Sequence, residues 1–311
     1  MTTPVLEKPL RVGTLNVRGL SDRRKQYQLN RLFIDQELDI VAIQETKVES
    51  DERTESMLRP FTSRYNVCVS HAVGNSGGCC LFLKDSIGIT VESVVTCLTG
   101  KLAICDFTYH STNWRVICLY APFSAADRKI FFEFVHGYCM CQRNVILLGD
   151  FNCVCSAKDK TGVTPYRDAG TLVLNDIVSE AGLYDVAECI GHVGTVQYTH
   201  FQGSSHARLD RVYISLEQVP VCNEYQVVPV SFSDHCLVSF VLGSTHRRPK
   251  FSWELWKLNC RLLVDEGFTK LVRGLLNKLE EVSSNYAAEW EGFKQEFKMI
   301  AIEKACALKD L

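Results

Sequence analysis

Arg143–Asn152, RNVILLGDFN, is the stretch on which the fold of this chain turns. Val145, Ile146, Leu147 and Leu148 form an unbroken apolar run, too short for a helix and suited to a strand buried on both faces. Gly149 ends the run, and a carboxylate and a carboxamide follow at Asp150 and Asn152. Side chains two apart on an extended chain point to the same side, so this strand end can present both groups to one site. The same letters also suit a strand running into an Asx-type turn, where Asp and Asn bond only their own backbone. The other acidic residues decide between the two.

Toward the N-terminus, Leu10–Val17 reads as a strand carrying Asn16 near its end, with Gly19 as breaker. Asp22–Gln36 has helical periodicity, and Asp39–Gln44 is a second buried strand with Glu45 at its end. Between Ser63 and Pro122 short strands alternate with turn signals: Tyr65–Val69, Cys79–Leu83, Ile87–Val95, Leu102–Tyr109 and Trp114–Tyr120. That spacing predicts hairpins in an antiparallel sheet. Phe123–Tyr138 is helical, and beyond GDFN a helix is expected over Thr171–Ala181, closed by Gly182. Strands at Thr195–Phe201, Ala207–Ile214 and Cys236–Leu242 complete the globular part. Mixed strands and helices with polar residues at strand ends predict a layered α/β sandwich.

The expected organisation is a globular domain over residues 1–243, a basic linker over 244–250 and a helical segment over 251–311. In the last, Tyr286, Trp290, Phe293, Phe297 and Ile300 form one apolar stripe, and Leu271, Val272, Leu275, Leu276 and Leu279 a second. A helical hairpin packing on itself or on a neighbour accounts for both.

At 311 residues, 46% hydrophobic and 23% charged, the composition is that of a folded globular protein. A formal net charge of −2 excludes a histone-like polycation, so nucleic-acid contacts must come from local basic patches. Arg23–Lys25, Lys158–Lys160, Arg167, Arg208, Arg211 and Arg247–Lys250 are candidates, each equally readable as ordinary solvated charge. The N-terminus has no apolar core of signal-peptide length, and no apolar run is long enough for a bilayer, so an intracellular protein without membrane contact is expected. The 15 cysteines lack CxxC spacing and read as reduced thiols, with Cys118 and Cys236 as small core hydrophobes.

Asn16, Glu45, Tyr120, Asp150, Asn152, Asp210, Asp234 and His235 each close or follow an apolar run, where α/β folds place their sites. Converging carboxylates repel unless a cation neutralises them. A hard divalent ion meets that need, and magnesium takes one or two carboxylates directly. Asp beside His at Asp234–His235 adds a group titrating near neutrality. No GxSxG nucleophile elbow is present, which leaves water as the attacking group. Singly, Glu45 reads as a surface residue, Tyr120 as strand-end packing and Asp210 as a partner of Arg208 or Arg211. His71, His110, His136, His192 and His246 keep such an ordinary reading.

LNVRGL, VAIQETK, LYAP, GDFN, RLDRVYIS and SDH together resemble, in order and spacing, the endonuclease/exonuclease/phosphatase superfamily, over about Leu10 to Leu242. That superfamily includes exonuclease III, apurinic/apyrimidinic (AP) endonucleases, DNase I and inositol-phosphate phosphatases. Within it, the chain is most similar to the endonuclease domain of non-LTR (LINE-type) retrotransposons, and WELWKLN, LLVDEGF, WEGFKQEFK and AIEKA resemble the connector that follows it. The resemblance implies a four-layered α/β sandwich, two packed mixed sheets flanked by helices, with a C-terminal helical extension. It also implies a reverse transcriptase domain beyond Leu311, missing from this chain.

The resemblance further implies Mg2+, or Mn2+ in its place, held by Glu45 and Asn16 with Asp150, Asn152, Asp234 and His235 in the same metal site. Asp150 would orient or deprotonate water, Asn152 would hold it, Tyr120 would donate to the phosphate, and His235, oriented by Asp210, would bond the scissile phosphate or act as base. Thr199, Ser205, Arg208 and Ser233 become expected DNA contacts. Two departures stand out: His200 where relatives often have an aromatic, and Ala207 where they often have serine. Thr199 and Ser205 could supply the phosphate-contacting hydroxyls instead.

The implied function is a DNA nick leaving a 3′-hydroxyl primer, as in target-primed retrotransposition, in the nucleus if genomic DNA is the substrate. An AP-endonuclease-like repair nuclease or phosphate-ester phosphatase is the alternative on the same fold. A catalytically silent nucleic-acid-binding retroelement remnant is the alternative of another class.

Overall fold

A computed structural model describes residues 8–243 apart from 75, 98, 163–167 and 191–196, together with 260–280 and isolated helical positions between 290 and 304. The chain forms two compact units, Met1–Arg247 and Arg248–Leu311. The expected linker, with the candidate contacts Arg247–Lys250, and likewise Arg167, lie outside the described residues.

The first unit is built on two mixed sheets. One contains β1 (Leu10–Asn16), β2 (Ile40–Gln44), β3 (Tyr65–Ser70), β4 (Cys79–Lys84), β13 (Cys222–Val228) and β14 (Leu237–Leu242), in the order β13-β14-β1-β2-β4-β3. The other contains β5 (Thr90–Cys97), β6 (Leu102–Tyr109), β7 (Thr112–Tyr120), β8 (Asn144–Asp150), β9 (Leu183–Asp185) and β12 (Asp210–Ser215), in the order β5-β6-β7-β8-β12-β9. β10 (His200–Gln202) and β11 (Ser205–Ala207) form a separate hairpin. The parallel pairs β1–β2 and β7–β8 lie at the centres of their sheets.

The apolar run of β8 is buried on both faces, as its lack of alternation predicts. Ile146 and Leu148 join the core between the sheets, with Val12, Ala42, Cys118 and Val238. Val145 and Leu147 face outward onto α3 (Ala125–Cys139) and α4 (Ala169–Glu180), meeting Phe132, Val135, Leu174 and Ile177. β2 behaves likewise: Ile40 and Ala42 face the second sheet, while Val41 and Ile43 pack with Leu29 and Phe33 of α1 (Arg23–Asp35) and Met57 of α2 (Asp51–Leu58). The layers are therefore helix, sheet, sheet, helix.

Five elements differ from expectation. α2 reads as polar because only Thr54 and Met57 of its eight residues are buried. β13 is an edge strand with a register shift between Asn223 and Gln226, which breaks its alternation. The strand expected from Ile87 begins only at Thr90, after a 3-10 turn ending at Gly88 with φ 81°. The strand expected over Ala207–Ile214 is interrupted at Arg208 and Leu209, where the Arg208 side chain turns inward. Of the strand expected over Thr195–Phe201, residues 195 and 196 lie outside the described residues, and pairing starts at His200.

In the second unit α5 (Glu266–Glu280) follows a 3-10 turn over Cys260–Val264. Leu262, Phe268 and Ala301 are buried together, flanked by Val272, Phe297 and Ile300. Trp290 stacks on Phe293 at 5.2 Å between ring centroids, and Phe293 on Phe297 at 6.0 Å. Of the other stripe, Leu275 and Leu279 are buried and Leu271 and Leu276 exposed; Tyr286 lies outside the described residues. Among the described residues no helix is long and apolar enough to cross a membrane.

Candidate active site

Strand register assembles the site. β7 pairs in parallel with β8 so that Tyr120 lies beside Asp150, and β12 pairs antiparallel so that Asp210 lies on its other side. On the facing sheet Asn16 pairs with Gln44, which puts Glu45 just beyond it. The two sheets meet at one amide: Asn16 Nδ2 donates to Glu45 Oε1 and to Asp150 Oδ2, both at 2.9 Å. His235 arrives just before β14. Its N–H donates to Ser233 Oγ at 3.1 Å, and the Ser233 hydroxyl donates to the Asn16 carbonyl at 2.7 Å. His235 Nδ1 lies 2.8 Å from Asp210 Oδ2, and Nε2 lies 3.9 Å from Asp150 Oδ2.

Gly149 makes the register between β7 and β8 feasible. Its φ is 143°, and a Cβ there would come within 2.0 Å of the Leu119 carbonyl oxygen. The neighbouring residues are also strained. Arg18, Glu45, Lys47 and Asn152 all have left-handed φ, between 47° and 56°, which costs about 1–3 kcal/mol each and is seen where surroundings over-determine a functional conformation. Asn152 is held by its side-chain N–H to the Ala121 carbonyl at 2.7 Å, and its backbone N–H donates to Asp150 Oδ1 at 2.9 Å.

Asp150, Asp210 and His235 are at most 2% exposed, so their charges act strongly on one another. Burial, then the charge of Asp210, pushes the Asp150 carboxyl up to about 6, against the pull of His235. Burial alone would lower the His235 imidazole, but the Asp210 charge and hydrogen bond lift it to about 9. Burial would raise Glu45, yet hydrogen bonds from Asn16 and Lys47 hold it below the usual carboxylate range. Tyr120 is pushed up by burial and by Glu45 and Asp150, so its hydroxyl keeps its proton at neutral pH. The resulting set is an ionised Glu45, a charged imidazole, a protonated phenol and a carboxylate poised to take a proton.

The surplus negative charge is balanced in part by two side chains. Lys47 Nζ lies 3.2 Å from Glu45 Oε2, and Arg18 spans Glu45 Oε1 at 3.8 Å and Asp234 Oδ1 at 3.3 Å. They stand where a cation would meet a donor set of carboxylate oxygens. That set fits a hard divalent ion.

Known proteins share this fold. Residues 13–235 match the model of the endonuclease/exonuclease/phosphatase family. The chain belongs to that family. Its members are nucleases and phosphatases, divalent-metal-dependent hydrolases. Over 271 residues the chain is 27% identical to an uncharacterised 149 kDa protein of transposon TX1 from Xenopus laevis, a match covering 85% of this chain and 20% of that protein. The fold is that of an AP endonuclease from Leishmania major, with TM-score 0.64 and 13% identity over 76% of this chain and 89% of that one. It is equally that of the Xenopus laevis APE2 catalytic domain, with TM-score 0.64 and 18% identity over 75% and 92%. A Neisseria 3′ phosphatase, NExo, solved with a product DNA hairpin, gives TM-score 0.62 and 17% identity over 74% and 98%.

The eight residues singled out in this family member lie in one linked cluster, but their connections refine the expectations. Asn16 turns its NH2 to the two acids, and its Oδ1 accepts the Arg18 N–H at 3.0 Å, so it clamps the acids together. Asp234 sits at the rim, its side chain 31% exposed. Two of the expected DNA contacts are engaged inside the protein. Arg208 is buried, with Nε 2.8 Å from Asp159 Oδ1 and NH1 2.8 Å from Asp185 Oδ2. Thr199 is also buried, its hydroxyl oxygen accepting from Leu209 N and Asp210 N at 3.0 Å each. Arg211, likewise buried, bonds Asp159. Ser205, Arg23, Arg24 and Lys158 remain exposed. Motif reading overlooked Arg18 and Lys47, although each stands two residues past an acid or amide of the site.

Proposed function

We propose that this chain is a magnesium-dependent DNA endonuclease that nicks one strand and leaves a 3′-hydroxyl. The observation that carries the reading is the junction at Asn16, which brings Glu45 of one sheet against Asp150 of the other, backed by the Asp210–His235 pair. Glu45, with Asp150 and Asp234 nearby, would hold the cation, displacing Arg18 and Lys47 from the carboxylates. When bound, the cation stabilises charge on the phosphoryl and leaving oxygens.

The remaining work falls to the side chains. A base must be unprotonated at operating pH, and Asp150, poised at about 6, meets that condition where His235, at about 9, does not. Asp150 therefore takes the proton of the attacking water. The His235 imidazolium, fixed through Nδ1 by Asp210, directs Nε2–H at a phosphate oxygen. Tyr120 donates its hydroxyl to the same phosphate. Asn152 keeps Asp150 in place through its backbone N–H and borders the water.

The similarity to part of a transposon protein supports the reading that the nick serves transposition, as a primer for reverse transcription. Incubation of supercoiled plasmid with Mg2+ tests the activity. Relaxed circles from wild type, absent with EDTA and absent from Asp150→Ala, are expected. No relaxation by wild type on intact DNA, with cleavage of abasic DNA instead, would move the assignment to an AP endonuclease.

A further inference from the structure

His200, on β10, has no part in the chemistry above, yet the backbone pairs it directly with His235 in an isolated antiparallel bridge. Hydrogen bonds flank the bridge on both sides, from Phe201 N–H to the Asp234 carbonyl at 3.0 Å and from Cys236 N–H to the Thr199 carbonyl at 2.7 Å. These bonds fix both backbones, and the two imidazole rings lie with centroids 4.6 Å apart. His200 Nε2 is 3.5 Å from Asp234 Oδ2, the carboxylate oxygen turned away from Arg18. One donor atom from each of His200, Asp234 and His235 lies within 4.8 Å of the other two.

We propose that His200, Asp234 and His235 form a site for a zinc-class divalent cation, and that filling it inhibits the nuclease. Two imidazole nitrogens and one carboxylate oxygen are the ligands of an open three-ligand zinc centre, with the fourth position left to solvent. Magnesium prefers an all-oxygen shell, so the nitrogen pair selects against it. Asp210 on Nδ1 fixes the ring of His235 and aims Nε2, as carboxylates behind metal-bound histidines do, and the incoming cation displaces the Nε2 proton to solvent as it binds. The His200 and Asp234 side chains are 15% and 31% exposed, which opens a path from solvent. A cation on His235 Nε2 removes that atom from the phosphate. The inhibitory consequence rests on the nuclease reading; the binding site does not.

The test compares full-length wild type with His200→Phe and His200→Gln after metal removal, by calorimetric titration with zinc chloride alone. Wild type is expected to bind one zinc equivalent that both variants lose or hold at least about tenfold more weakly, the least effect seen when even an outer-shell partner is disturbed. Thiol sites elsewhere contribute equally to all three and cancel in the comparison. Melting midpoints of the metal-free variants within the wild-type range show that loss of binding is not loss of fold. Under magnesium, half-inhibition of nicking should need at least tenfold more zinc in the variants. Equal zinc titration by all three proteins would overturn the site. Nicking absent from every protein would overturn only the nuclease reading and leave the titration decisive.

Discussion

Asp150 and His235 are held at odds with water, and both displacements have measurable consequences. For Asp150 the folded value of about 6 exceeds the ordinary 3.8. The protonated form is therefore favoured by folding, and that stability is complete below pH 4 and lost as pH rises through 6. In EDTA, Asp150→Asn should remove this loss. The variant should gain melting temperature relative to wild type at pH 7.5 and not at pH 4, while nicking falls by about 10²–10⁴-fold, the usual contribution of a positioned base. A parallel pH dependence of melting in both proteins would sink the assignment of that charge. For His235 the folded value of about 9 exceeds 6.5, so its ion-pair stability is complete below pH 6.5 and disappears as pH passes 9. The alkaline limb of the pH–rate profile should report this group. Asp210→Asn, which keeps the shape but removes the charge that raises it, should move that limb to lower pH. An unmoved limb would assign it to another group.

At the scale of elements, two features hold the strand ends in register. Gly149→Ala places a methyl carbon 2.0 Å from the Leu119 carbonyl oxygen on β7. Strand separation is the only relief, so a loss of about 4 kcal/mol or more is expected, at the extreme of single substitutions. Urea unfolding measures it, and a loss under 1 kcal/mol would show that the β7–β8 pairing is looser than its register. The second feature is the ion network of Asp159 and Asp185 with Arg208 and Arg211, which ties the turn after β8 to β12. Asp159→Ala leaves two buried guanidinium groups to share Asp185 and should cost about 3–5 kcal/mol, as for one partner removed from a buried ionic network. The Asp159 carboxyl is pulled down to about 2: burial opposes ionisation, but Arg211 and Arg208 outweigh it. Its contribution is complete above pH 3.8 and lost as pH falls toward 2. The same commitment keeps the Arg208 and Arg211 guanidinium groups inside the protein.

For the whole molecule, a formal net charge of −2 gives no global attraction for a DNA duplex, so binding rests on local cations. Arg23, Arg24 and Lys158 are the exposed candidates near α1 and the turn after β8. Binding in the presence of Ca2+ should therefore have a shallow salt dependence, a log–log slope of about −3 for three phosphates. Arg24→Ala should flatten that slope by about 1 and weaken all sequences alike. A slope near −8 would point to a far larger basic surface, drawn from beyond the described residues.

The sequence by itself determined the layered α/β class, because apolar runs of strand length and 3.6-period stripes are local patterns. β8, whose run has no alternation, could only be a strand covered on both sides. It singled out the eight polar residues too, since each closes or follows such a run and the quoted motifs resemble those of the family in order. What it could not determine was partnership. Asp210 between two arginines looked like one end of a salt bridge; tertiary register gave those arginines to Asp159 and Asp185 and left Asp210 to His235. Asn16 looked like a ligand and became a clamp between two sheets, because its neighbour Asp150 lies 134 residues away. α2 and β13, one mostly exposed and one a bulged edge, carry too little burial to leave a periodic trace. Charge pairing and strand register depend on residues distant in the chain, and only the folded chain brings their fields within reach of one another.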